Sequence, residues 1–190
     1  MDATNHPLIH YICPMNFSIK PTLENEQILL TSLTTGDFDA LYAVASDPAI
    51  WAQHPQHDRW KEEIFREFFD AAIRSHGAFK IIDKASGEIA GSTRYYDYDA
   101  GENSIYIGYT FYATKYWGTG FNKAVKKLML DYIFQYVTAV GFHVGVNNVR
   151  SQIAISRLGA VKVGEMEMDP AFGANRKNFV YSLAKTDYSL

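Results

Sequence analysis

Apolar positions along this chain alternate between helical and strand spacing, and the changes of period divide it into elements. Residues 1–24, with Pro7, Pro14 and Pro21, read as an irregular lead-in, and Glu26–Leu33 as a first strand. Thr34 and Asp37 have the spacing of a capping box. Phe38, Leu41, Tyr42 and Ala45 follow at helical spacing, and Asp47-Pro48 ends that helix. A second helix, Arg59–Ser75, places Ile64, Phe65, Phe68, Phe69 and Ile73 on one face, with His76-Gly77 as its stop. Ala78–Asp83 and Glu88–Tyr96 flank a hairpin-like turn at Lys84–Gly87. Asn103–Tyr112 alternates, with Ile105, Ile107, Tyr109 and Phe111 expected on one face and Tyr106, Gly108, Thr110 and Tyr112 on the other. Gly118–Val137 is the longest predicted helix, its core stripe formed by Phe121, Val125, Leu128, Met129, Tyr132 and Tyr136. A strand at Val140–Val146, a short helix at Asn148–Leu158 closed by Gly159, and strands at Val161–Met168 and Asn178–Leu183 complete the pattern.

The order predicts one α/β domain over residues 25–190 behind the lead-in. The strand-helix-strand unit at 103–146 requires a crossover, so its two strands are expected to be parallel within a mixed sheet. Composition excludes several function classes. Net charge is −3, whereas a protein that grips nucleic-acid phosphates carries a basic excess. Cys13 is the only cysteine, which leaves no internal disulfide and no cysteine-based zinc site. The longest apolar run is Leu41–Ala45, far short of a membrane span of about 20 residues. The opening residues lack the charge and apolar stretch of a signal peptide, so no membrane and a cytoplasmic location are expected. His54 and His57 form a plain loop around Pro55 rather than a metal site, and no metal is expected.

Candidate chemistry concentrates at Lys115-Tyr116-Trp117-Gly118-Thr119-Gly120, between a strand and the long helix. Glycines let the backbone turn tightly and present successive amides, and a helix N-terminus adds partial positive charge; together these suit a pyrophosphate. Lys115, Lys123, Lys126 and Lys127 add cationic charge nearby, the last three as a solvated face. The loop lacks the Gly-Lys-Ser/Thr ending of a Walker loop. It also lacks the third glycine of a dinucleotide fingerprint, Lys123 standing there. Two glycines that merely start a helix are the alternative. After the following strand, Asn148 is placed as an N-cap, and Ser151 heads an inward stripe with Ala154, Ile155 and Leu158.

Taken together, Tyr106-Ile107-Gly108-Tyr109-Thr110-Phe111-Tyr112, Lys115–Gly120, Asn122 and Asn148–Ala160 resemble the GNAT superfamily of acyl-CoA-dependent N-acyltransferases over residues 26–184. The resemblance is to the branch holding the N-terminal acetyltransferases of ribosomal proteins. It implies a mixed, mostly antiparallel central sheet with flanking helices, in which the two parallel strands splay and acetyl-CoA enters between them. By the same resemblance, backbone groups at Thr110 and Phe111 pair with the pantetheine arm. Amides of Tyr116, Trp117, Gly118, Thr119, Gly120 and Phe121 hold the pyrophosphate, with Lys115 and Asn122 in the same motif. Asn148 contacts the pantetheine arm and Ser151 sits near the thioester sulfur.

The implied reaction is direct attack of a primary amine on the thioester. A backbone N–H near Phe111 or Tyr112 serves the oxyanion, and Ser151 is the candidate proton donor. Relatives carry Glu where this chain has Tyr106, a poor base that is also suited to line the acceptor pocket. A water chain, Glu102, Asp97 or an acceptor that arrives neutral are the other routes. The acceptor is a protein N-terminus, alternatively a small amine, and a degenerate CoA-binding module is the non-enzymatic alternative; family habit points to a homodimer. Nine aromatics fall between Tyr95 and Trp117, with Tyr109 and Phe111 expected in the core and Tyr106 on an acceptor wall. An acceptor that is partly apolar or planar is expected.

Overall fold

The computed structural model describes residues 15–167 and 177–189. Cys13 and Met168 lie outside them. Eight strands form one sheet: β1 (Leu23–Glu24), β2 (Ile28–Ser32), β3 (Ala78–Asp83), β4 (Ile89–Asp99), β5 (Ser104–Tyr112), β6 (Ala139–Gly145), β7 (Val161–Glu167) and β8 (Lys177–Ala184). Their order is β1-β2-β3-β4-β5-β6-β8-β7, so the last strand inserts between β6 and β7. Every pairing is antiparallel except β5 with β6, the crossover pair expected from the sequence. Among the described residues, five α-helices flank the sheet: α1 (Phe38–Ala45), α2 (Pro48–Trp51), α3 (Glu62–Arg74), α4 (Phe121–Ile133) and α5 (Val149–Ser156).

The local signals act largely as read. The Asp37 carboxylate accepts from the Thr34 N–H at 2.8 Å and from its hydroxyl at 2.7 Å, fixing the entry to α1. Asp47-Pro48 does more than end a helix. Asp47 Oδ1 accepts from the Ala49 N–H at 2.9 Å and Pro48 takes the first helical position, so α2 begins there. The helix expected over 118–137 is shorter, and Tyr136, past its end, is exposed rather than in the core stripe.

Each face of the sheet carries its own core. On one, α4 lays Phe121, Val125, Met129, Leu130 and Ile133 against Ile105, Ile107, Val140, Phe142 and Val144. On the other, Phe38, Leu41, Trp51, Phe65, Phe68 and Phe69 close over Phe111 in a cluster of edge and tilted rings. Simple alternation in β5 fails midway. Ile105, Ile107 and Tyr112 share the α4 side, whereas Phe111 faces the aromatic cluster, and Tyr109 is 45% exposed instead of buried. An extra residue in the strand exchanges the two faces.

Candidate active site

That extra residue is Tyr109. Its φ is +53°, and the β4–β5 register jumps from Arg94↔Gly108 to Ser92↔Phe111, leaving Tyr109 and Thr110 opposite Thr93. A β-bulge bends the strand that carries it. The parallel β5–β6 ladder lasts three pairs, Ser104↔Ala139, Ile105↔Val140 and Tyr106↔Gly141, and then stops. Both strands run on, β6 held by β8 as far as Gly145↔Asn178, so a splayed cleft opens between residues 107–112 and 142–145. Its walls present backbone groups that no strand ladder takes.

A tyrosine at positive φ costs about 1–3 kcal/mol, and packing from both faces holds it there. On the α4 side, Lys126 Nζ donates to Thr110 Oγ1 at 2.7 Å and to Thr93 Oγ1 at 3.2 Å. Lys126 is therefore not part of a solvated cationic face. It is 2% exposed, and burial pushes its pKa down to about 7. On the other side the Tyr109 ring lies on the Arg94 guanidinium at 4.1 Å and edge-on to Tyr96 at 5.0 Å.

Beyond the bulge the chain enters the glycine loop. Gly118 and Gly120 have φ of +74° and +86°, which a side chain would strain. Not every amide of the loop is available. The N–H groups of Tyr116 and Trp117 donate to Ala113 and Thr114 carbonyls at 3.0 Å, and that of Phe121 to Thr119 Oγ1 at 3.3 Å. The N–H groups of Gly118, Thr119 and Gly120 remain, with those of Asn122 and Lys123 in the first turn of α4. Side chains buttress this loop. Tyr116 stacks on Phe121 at 4.3 Å and donates to Asp83 at 3.0 Å, and Trp117 lies under Arg150 at 3.8 Å. Asn122 Oδ1 accepts from the Tyr112 hydroxyl at 2.9 Å. Lys115 turns to Glu88, 2.7 Å away on the surface.

At the far wall, Asn148 Oδ1 accepts from the Ser151 N–H at 3.2 Å, so Asn148 caps α5 and keeps its amide NH2 as a donor. Ser151, half-buried in the first turn of α5, keeps its hydroxyl. Gln152 Nε2 ties the end of β6 by donating to the Gly145 and Val146 carbonyls, and Arg150 reaches across to the Ile50 carbonyl at 3.1 Å.

On the face away from α4, three rings lie across the start of the cleft. Tyr106 packs on His143 at 4.2 Å, and the Tyr96 hydroxyl is 3.1 Å from His143 Nδ1. Gly141 and Gly108 make this arrangement fit, because a Cβ at either would meet the Tyr106 or Tyr96 ring. Burial lowers the His143 pKa, with Asp97 pulling weakly the other way, so the ring is neutral at pH 7. Burial raises the Tyr96 pKa, so its phenol stays protonated. Glu102 sits in the β4–β5 turn, where its N–H donates to Asp99, at the end of β5 away from the splay. His143, Tyr96 and Arg94, on the cleft face, are the candidates that sequence reasoning missed. Alternation around Val140, Phe142 and Val144 puts His143 on the opposite face, and that signal was available.

Among the described residues, no three His, Cys, Asp or Glu side chains are grouped to hold a metal, and no helix is long and apolar enough to cross a membrane. No curated protein sequence matches the chain. Solved structures do. A GCN5-related N-acetyltransferase from Brucella melitensis is 22% identical, with TM-score 0.73 over 90% of this chain and 84% of that one. A spermidine N-acetyltransferase from Vibrio cholerae, in complex with CoA and spermine, is 18% identical with TM-score 0.65, covering 86% and 99%. A ribosomal-protein-S5-alanine acetyltransferase from Vibrio fischeri is 19% identical with TM-score 0.65, covering 90% and 100%. The family model described as an acetyltransferase (GNAT) domain matches residues 27–161. With this sheet, its one splayed parallel pair and that match, the chain belongs to the GNAT family of acyl-CoA-dependent acetyltransferases.

Proposed function

We propose that the protein moves the acetyl group of acetyl-CoA to a primary amine, the α-amine of a protein N-terminus, by direct attack. The observation that carries this reading is the β5–β6 ladder that stops after Tyr106↔Gly141, because it leaves two strand edges facing each other across a cleft. The residues present suit the cosubstrate. Thr110 and Phe111 offer backbone groups to a pantetheine arm, and Asn148 offers its amide NH2. Amides of Gly118, Thr119 and Gly120, with the first turn of the thirteen-residue α4, offer an anion cradle. Lys115, Tyr116, Trp117, Phe121 and Asn122 shape the loop and join its first turn to β5. Acetyl-CoA supplies the activated acyl group.

Two protons must then be handled. In the Nδ1–H tautomer, His143 donates to the Tyr96 oxygen and its Nε2 keeps a lone pair. That nitrogen takes the proton the amine sheds as its nitrogen bonds the acetyl carbon. Ser151 Oγ–H protonates the sulfur as the C–S bond breaks, and is reprotonated from water. Tyr106 backs the imidazole and lines the acceptor wall rather than acting as the base. A peptide α-amine, with a pKa of about 7.7–8.0, needs only such a modest base, whereas a lysine amine near 10.4 needs more.

Thiol release from acetyl-CoA, measured over peptide N-termini and small amines with the product mass, tests the reading. Release with an α-amine peptide and one added acetyl per molecule is expected. His143→Gln should lower kcat by about 10²-fold and remove the fall in rate expected of wild type as pH drops below the ordinary histidine value of about 6.5. Transfer to small amines alone would overturn the N-terminal acceptor. Binding of acetyl-CoA without thiol release from any amine would make the protein a CoA-binding module.

A further inference from the structure

Arg94 has no role in the transfer chemistry described above, yet its setting is unusual. It stands on β4 beside Gly108, on the same face as Tyr96, Tyr106 and His143, and is 5% exposed. Its guanidinium is covered by the Tyr109 ring at 4.1 Å and lies 5.6 Å from the Phe68 ring. Its Nε makes no hydrogen bond, and none of the ion pairs among the described residues includes it. A second guanidinium, Arg59, lies 4.5 Å from the same Phe68 ring and also bonds His54 and Gln56. Ring contacts offset only part of the cost of taking a guanidinium out of water, and the usual compensation is a carboxylate held by paired N–H donors. Among the described residues, this spot carries positive charge and no carboxylate paired with it.

The location narrows the ligand. Arg94 is one strand from the bulge that opens the cleft, its backbone about one strand spacing, roughly 5 Å, from β5, and its guanidinium lies against Tyr109 of the bulge itself. The nearer of the two rings over it, Tyr109, is the half-exposed residue of the bulge, whereas Phe68 is buried.

We propose that Arg94 anchors the side-chain carboxylate of the amine acceptor, close to its α-amine. The acceptor class is then an acidic α-amine, either an N-terminus whose first residue is Asp or Glu, or the free acidic amino acid. This rests on the acetyl-transfer reading and adds the acceptor to it. Arg94 selects the substrate, while His143 and Ser151 handle its protons.

The test compares thiol release from acetyl-CoA with matched acceptors that differ only in the side-chain acid: peptides beginning Asp or Glu against Asn or Gln, and single amino acids with the α-carboxyl amidated, glutamate α-amide against glutaminamide. Wild type should favour the acidic member in kcat/KM by about tenfold to a hundredfold, as expected when one of two isosteric partners satisfies a buried charge. Peptide against single amino acid separates the two sources. Arg94→Gln should remove the preference, lowering the acidic substrates at least about tenfold more than their amides. Arg94→Lys should keep part of the preference. Glutarate, which has the carboxylates and no amine, should compete with the acceptor in wild type, a result that needs no variant to fold. Equal rates for acid and amide in wild type, no competition by glutarate, or an equal loss on both substrates in Arg94→Gln would each overturn the proposal while leaving acetyl transfer intact. Release with no amine at all would overturn the transfer reading, and this one with it.

Discussion

Lys126 shows how a single side chain sustains the site. Its ammonium lies in the core, bonded to the two threonines that flank the bulge, and that position costs stability. The unfolded chain holds this proton up to the ordinary lysine pKa of about 10.4, while the folded protein releases it near 7. Between those values the unfolded state binds more protons, so Lys126 makes stability rise with pH across that window. Lys126→Met should therefore raise stability at pH 7 by about 1–3 kcal/mol, with the advantage shrinking toward pH 10. Denaturant unfolding at several pH values checks this, and an unchanged or lower stability at pH 7 would contradict it. The sequence offered a partial signal. Positions 126, 129, 130 and 133 fall on one helical face, but a lysine there reads as solvated until its threonine partners are known. His143 was equally legible by alternation, and only the fold shows that Tyr96 and Tyr106 meet it.

Among elements, the glycine loop was the most legible and β5 the least. Two glycines before a helix announce a backbone that must turn through positive φ, and Gly118 and Gly120 do so. Which amides stay free could not be read, because that depends on bonds from Tyr116, Trp117 and Phe121 to their immediate neighbours. In β5 the positive φ falls on Tyr109, a residue type that announces nothing. The bulge is imposed by tertiary contacts from Lys126 below and Arg94 above, so local pattern placed Phe111 and Tyr112 on the wrong faces. The loop carries its own prediction. Gly120→Trp strains a backbone at φ +86° and places an indole at the amides, so the KM for acetyl-CoA should rise at least about tenfold. The variant should keep its fold, because a Cβ at Gly120 meets nothing within 4 Å. An unchanged KM would mean that these amides do not hold the cosubstrate.

At the scale of the molecule, the sheet joins two cores. The α4 side mixes aliphatic side chains with rings such as Phe79, Tyr95, Phe121 and Phe142 and braces the bulge, while the other side gathers Phe38, Trp51, Phe65, Phe68, Phe69 and Phe111, with Arg94 near Phe68 and under Tyr109. The aromatic richness of the composition thus divides between packing, as with Phe65 and Phe111, and a wall of rings at the cleft. In the proposed reading, acetyl-CoA binds in the gap between β5 and β6. Thermal unfolding of the wild-type protein with and without acetyl-CoA tests it most directly, since a ligand that binds only the folded state stabilises it. At about a hundredfold over Kd the gain is about 2.7 kcal/mol, which for a chain of this size raises Tm by about 5–10 °C. A rise of that size, saturating with acetyl-CoA, is the predicted result; an unchanged Tm at millimolar acetyl-CoA would contradict the account.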